Sequence, residues 1–171
     1  GYYARARNLH RCAISIVEDF GGRFPEDEKT LKSLPGVGVY TSAAIAAIAF
    51  GQKAAPVDGN IARVLSRLYG EKRPVAETKK RIKSLAEGLM PQQRPGDFAQ
   101  AMMDMGAMVC TPRNPKCPIC PWTAWCVARR SPRCEDYPQI KKTKKKPHRF
   151  GVVFWLENEN EAVLLRRREE K

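Results

Sequence analysis

A chain of 171 residues, 43% of them hydrophobic, carries enough apolar material for one domain and part of a second, which excludes global disorder. Lys and Arg number 31 against 18 Asp and Glu, a net charge of +13. Such a surplus points to a polyanion partner, nucleic acid foremost, ahead of a merely soluble basic surface. No apolar run approaches a membrane span and nothing reads as a secretory signal, so no membrane role and an intracellular setting are expected.

In chain order, the first segment places Leu9, Cys12, Ala13, Ile16 and Phe20 at helical spacing over residues 4–19. "FGGRFPED" breaks it, and a short helix is expected near Asp27–Ser33. "LPGVG", residues 34–38, leads into a helix of small residues, "YTSAAIAAIAF", ending at Gly51. "GQKAAPVDGN" reads as loop. Three amphipathic faces follow. They are Ile61, Val64, Leu65 and Leu68; then Ile82, Leu85, Ala86 and Leu89; then Phe98, Ala101, Met102, Met105 and Val109. The texture changes at Arg133, where "YPQIKKTKKKPHR" has no apolar period and reads as a solvated basic linker. "FGVVFWLENENEAVLLRR" holds two β-rich runs around a polar turn, the pattern of a hairpin. A lone hairpin is marginal in water, so it is read as the opening of a second domain. The expected organisation is a helical region over 1–132, a linker over 133–148 and the truncated second domain over 149–171. Both ends read as cut.

Cys110, Cys117, Cys120 and Cys126 are separated by six, two and five residues. With no secretory signal a disulfide framework is disfavoured. Four thiolates suit Zn²⁺ or a four-iron cluster, and the residues alone leave both open. One tight loop with a single Cys-x-x-Cys wraps a bulky group more naturally than it chelates one ion. In the plainest reading the metal staples the loop. Arg113, Lys116, Arg129 and Arg130 would then present charge to a phosphate backbone.

The two glycines of "LPGVG" permit a sharp turn that exposes amides at the start of the next helix, a geometry suited to phosphate. Such a turn holds DNA without reading bases. For the five residues alone, an ordinary helix–helix turn is the favoured explanation. Asp58 precedes the helix of Ile61, Val64 and Leu65, where Asp58 or Asn60 serves as a cap. Its functional reading is a carboxylate at the mouth of a cleft.

Taken in order, "LPGVGVYTSAAI", "VDGN" and the cysteine loop resemble the helix-hairpin-helix DNA glycosylases that carry an iron–sulfur loop. The strand-cutting lyases of that group have a lysine two residues after the second hairpin glycine. Here that position is Tyr40, which cannot form a Schiff base. "GYYARARNLH" and "FAQAMMDMGAMVC" are similar to the adenine DNA glycosylase, or MutY, family. "RFGVVFWLENENEAVLLRRRE" is similar to the first strands of that family's MutT-like (Nudix-like) domain.

The resemblance implies a mainly α fold: a helix-hairpin-helix bundle with a [4Fe–4S] loop, then a linker and the first β-hairpin of a Nudix-like α+β domain. It implies monofunctional removal of adenine opposite 8-oxoguanine or guanine in double-stranded DNA, by a monomer. Asp58 matches the catalytic aspartate, Asn60 its polar companion and Tyr2 a tyrosine lining the site. Leu34, Pro35, Gly36, Val37 and Gly38, with Tyr40 and Thr41 after them, match the DNA-gripping hairpin. Cys110, Cys117, Cys120 and Cys126 match the ligands of a [4Fe–4S] cluster. The family's general-acid glutamate has no match here; Glu18 and Asp19 stand on the wrong segment. The expectation is a chain inactive on its own. The rival readings are a thymine or uracil mismatch glycosylase of the same superfamily, a non-catalytic iron–sulfur DNA-binding module and, weakest, an electron-transfer protein.

Overall fold

The computed structural model describes residues 3–140, 147 and 150–166. The chain divides into two compact units, 1–141 and 142–171.

The first unit is helical: α1 (Tyr3–Phe20), α2 (Glu28–Ser33), α3 (Val39–Phe50), α4 (Gly59–Leu68), α5 (Val75–Leu89) and α6 (Pro95–Asp104). A π turn (Met105–Val109) extends α6, and short 3₁₀ turns follow at Cys117–Ile119, Ala128–Arg130 and Cys134–Asp136. The boundaries follow from local chemistry. Gly21 and Gly22 take positive φ and stop α1, with Gly22 N–H returning to the Ile16 carbonyl at 2.8 Å. Asp27 caps α2 by accepting from Thr30 N–H at 2.8 Å. Gly51, in the left-handed region at φ 62°, ends α3.

Two apolar clusters form the core. One joins α1, α2 and α3 through Cys12, Ile16, Leu31, Leu34, Ala43 and Ala46. The other joins α4, α5 and α6 through Ile61, Val64, Leu65, Ile82, Ala86, Ala99 and Met102. The small residues of α3 have a packing reason. A Cβ at Gly96, on α6, would lie 2.6 Å from the Ala47 carbonyl oxygen, so the two helices touch backbone to backbone.

Three expected core residues face outward: Leu9 is 73% exposed, and Ala13 and Ala101 are exposed. In α1 the buried stripe narrows to Cys12 and Ile16, leaving Leu9 and Val17 on a side that no described residue covers. In α6 the close approach at Gly96 sets the inward face. That face runs through Gly96, Ala99, Met102 and Gly106, and this register turns Ala101 away.

In the second unit, an antiparallel bridge pairs Glu157 with Val163, and Leu164 N–H reaches the Leu156 carbonyl at 2.9 Å. Asn158 Oδ1 accepts from the N–H groups of Asn160 and Ala162, closing the turn. No strand longer than that bridge occurs among the described residues. Tyr2, most of the basic run and the chain's last residues lie outside them.

Candidate functional site

Asp58 is the N-cap of α4. Its backbone is extended, and Oδ1 accepts from Ile61 N–H at 2.7 Å. The structural reading of this residue is therefore correct, and it leaves the functional one intact. Among the described residues no hydrogen bond engages Oδ2. Asp58 is half-buried and lines an open cavity of about 540 Å³ together with Val39, Tyr40, Val57 and Gly59. Lys79, Lys80 and Lys83 of α5 line the same cavity. Lys83 is engaged by the Ala55 carbonyl at 2.9 Å and by Glu28 and Glu87. Among the described residues Asp58 is the one acid in this lining. Tyr40, at the start of α3, donates through its hydroxyl to Met103 Sδ at 3.2 Å, which ties the cavity rim to α6.

The hairpin adjoins this cavity through Val39 and Tyr40. Leu34 is buried, and Val37 N–H returns to its carbonyl at 3.1 Å. Gly36 has φ +80°, and a Cβ there would meet the Asn8 Cβ at 2.7 Å, so the turn needs glycine twice over. Gly38 differs. It sits at the N-cap of α3 with φ −92°, has no side-chain cap, and has open space where a Cβ would go. The first amides of α3 are thus accessible from outside, beside exposed Val39, Tyr40 and Thr41.

Asn60 does not line the cavity. Its Oδ1 accepts from Arg63 Nη2 at 2.9 Å, and its Cβ lies where a side chain on Gly106 would be. It therefore faces the π turn that leads into Cys110. Arg63 continues the link, donating to the Gly106 carbonyl at 2.7 Å and to the Cys110 carbonyl at 2.8 Å. Burial, and after it the charge of Arg67, lowers the Arg63 pKa from its ordinary value.

Cys110, Cys117, Cys120 and Cys126 line one small cavity, and Cys134 joins them. Among the described residues no three Cys, His, Asp or Glu side chains converge closely enough to hold a single metal ion. Sulfurs placed around a space rather than around a point fit a cluster better than a zinc ion. Burial pushes the Cys126 thiol up, against the Arg129 and Ala128 amides that lower it. Cys134 is pushed up to about 12, chiefly by burial.

The HhH-GPD superfamily base excision DNA repair protein model matches residues 1–92, more than half of the chain. This chain belongs to the HhH-GPD superfamily. The iron–sulfur binding domain of endonuclease III matches residues 110–126, the cysteine loop. The superfamily member described here thus carries a [4Fe–4S] cluster as its cofactor. Adenine DNA glycosylase of Homo sapiens is 47% identical over 133 residues, covering 76% of this chain and 24% of that protein. Adenine DNA glycosylase of Buchnera aphidicola subsp. Schizaphis graminum is 36% identical over 174 residues, covering 96% and 50%. The chain spans a quarter to a half of these relatives' length. A thermostable thymine-DNA glycosylase has a similar structure, with TM-score 0.66 and 40% identity, covering 73% of this chain and 58% of that one. The mainly helical architecture expected from the sequence is that of this superfamily.

Arg63 and Arg67 are the site residues that sequence reasoning missed. A signal for them exists: Asn60, Arg63 and Arg67 recur at i, i+3 and i+7 on α4, a polar stripe beside the apolar one. A solvated face explains such a stripe as readily as a buried one, so the pattern by itself did not single them out.

Proposed function

We propose that this chain is the hairpin and cluster part of an adenine DNA glycosylase, acting on adenine opposite 8-oxoguanine or guanine in duplex DNA. One observation carries the reading. The half-buried carboxylate of Asp58 opens onto a large cavity whose rim, Val39 and Tyr40, begins directly after the glycine hairpin. The names of the human and Buchnera relatives support adenine as the base.

In this reading the hairpin, Leu34 to Gly38 with Tyr40 and Thr41, holds the DNA backbone through the open amides at the start of α3. The target nucleotide leaves the stack and enters the cavity. Adenine departs only once protonated, and its deoxyribose passes through an oxocarbenium-like state. The Asp58 Oδ2 faces that positive charge while Oδ1 stays committed to Ile61 N–H, which fixes the carboxylate's orientation. Asn60 positions α4 from behind through Arg63 and contacts no substrate. Tyr2 belongs to the lining by resemblance alone. Cys110, Cys117, Cys120 and Cys126 hold the [4Fe–4S] cluster, which when bound supplies a rigid staple for the loop. Residues 149–171 open a MutT-like domain after the basic linker. The protein works as a monomer inside the cell, where its substrate lies.

Among the described residues Asp58 is the acid that lines the cavity, and in this reading a relative's helices supply the general acid for the test. The test uses a chimera in which those helices precede residue 1. Adenine release from an A:8-oxoguanine duplex is expected. Asp58→Asn is expected to abolish release while DNA binding persists. Thymine or uracil release from T:G or U:G duplexes, without adenine release, would favour the rival glycosylase. DNA binding with no base released from any of these duplexes would favour the binding-module reading, and release unaffected by Asp58→Asn would overturn the role of Asp58.

A further inference from the structure

We propose that Arg67 is the buried counter-charge and positioning residue of the cluster loop. The inference rests on the ligand assignment made above and not on the chemistry of base removal. Arg67 is 1% exposed. Its guanidinium donates to the Cys110, Thr111, Pro112 and Tyr137 carbonyls, at 3.3, 2.7, 3.0 and 3.0 Å, and to the Cys110 sulfur at 3.3 Å. None of these acceptors is a carboxylate. Among the described residues no acid forms an ion pair with it. Glu135 feels its field, but that carboxylate is partly exposed and is engaged by Asn114 N–H.

A guanidinium stays charged when buried, and a buried charge needs compensation. Arg63, one turn earlier on α4, adds a second positive charge aimed at the same Cys110 carbonyl. Two cations therefore meet at the first cysteine of the loop; the half-buried Asp58 acts on Arg63, whereas among the described residues no acid is paired with Arg67. The Arg67 carbonyl also lies 3.4 Å from Cys126 Sγ, at the last cysteine. One residue thus touches both ends of the loop and the segment that leaves it, at Tyr137. Four thiolates around an iron–sulfur core supply the missing negative charge, and the N–H to sulfur contact is one of the means by which a protein tunes such a cluster.

Two roles are combined here, and two variants separate them. Arg67→Lys keeps the charge and loses the fork that pins three consecutive carbonyls. Arg67→Met loses both. The purified chain is loaded with its cluster, and iron transfer to a chelator is timed by loss of the visible absorbance. The reduction potential is measured by protein-film voltammetry. Both variants are expected to release iron faster, on the order of tenfold or more. Only Arg67→Met is expected to shift the potential to more negative values, because a nearby cation favours the reduced cluster. An unmoved potential in Arg67→Met overturns the counter-charge. Release from Arg67→Lys as slow as from the parent chain overturns the positioning role, and decides it alone if Arg67→Met does not fold. A colourless parent chain would instead remove the cluster reading itself, before either variant is made.

Discussion

Arg63 holds Cys110 to helix α4: its Nε donates to the Cys110 carbonyl at 2.8 Å. The same guanidinium holds Asn60 and the Gly106 carbonyl, so the helix capped by Asp58 and the start of the cysteine loop share one side chain. Residues 43 and 47 positions away in sequence are thereby locked to the third residue after Asn60.

Arg63→Gln cannot reach all three acceptors. Hydrogen bonds to charged groups contribute about 1.5–3 kcal/mol each at most, and their loss is partly offset by water at this half-buried position. A net destabilisation of about 2–3 kcal/mol is expected. Denaturant unfolding of the cluster-loaded chain measures it. A variant as stable as the parent would mean that the three contacts do not hold the helix to the loop.

The two hairpin glycines are expected to respond differently. Gly36→Ala places a Cβ in left-handed backbone and 2.7 Å from that of Asn8, which pushes α1 from the turn. A cost of about 1–3 kcal/mol is expected. Gly38→Ala meets nothing within 4 Å and has an ordinary φ. Its cost is that of a poorer cap, about 1 kcal/mol or less. If the amides at the start of α3 grip a phosphate, Gly38→Ala lowers DNA affinity more than it lowers stability. Gly36→Ala lowers both together. Equal profiles for the two variants would refute the distinction.

Much of this architecture was legible because the first four helices carry their own punctuation. The glycine pair after Phe20, Asp27, Gly51 and Asp58 mark ends that local chemistry fixes without reference to the rest of the fold. The faces of α1 and α6 were harder. Leu9 fits a helical period yet remains exposed, because period tells which residues share a side and not which side is covered. Ala101 was misplaced since the deciding contact, Gly96 against the Ala47 carbonyl, joins residues 49 positions apart. In the site, the four cysteines stood out by spacing, and Asp58 stood out through the resemblance carried by "VDGN". The Asn60–Arg63–Arg67 stripe became meaningful only once its neighbours across the fold were known.

Acid should destabilise the helical unit through Glu71. This carboxylate is 6% exposed, accepts from Arg73 at 2.8 and 3.0 Å, and has Arg81 at 3.5 Å. The Arg73 hydrogen bond, foremost, holds its pKa at about 2, below the ordinary 4.5. A folded pKa below the unfolded one means that the unfolded chain binds the proton more readily. The stabilisation is complete above about 4.5 and is lost as pH falls toward 2. Glu71→Gln should remove this part of the acid sensitivity. Denaturation midpoints of the parent and the variant should converge on descending through that window. Parallel curves would show that Glu71 is not the titrating group.

DNA affinity should fall steeply with salt. Arg113 and Lys116 project from the cysteine loop into solvent, and among the described residues neither enters an ion pair. A side chain so placed is free to neutralise a phosphate and release the counterion condensed there. Each such contact contributes about −0.9 to the slope of log K against log salt. Arg113→Gln and Lys116→Gln should each weaken binding to any duplex, matched or mismatched, and each should flatten the slope by roughly one unit. The flattening separates this role from a structural one, since a variant that merely loosened the loop would lose affinity at an unchanged slope. A salt-independent parent chain would sever the link between the surplus of 13 positive charges and a nucleic-acid partner.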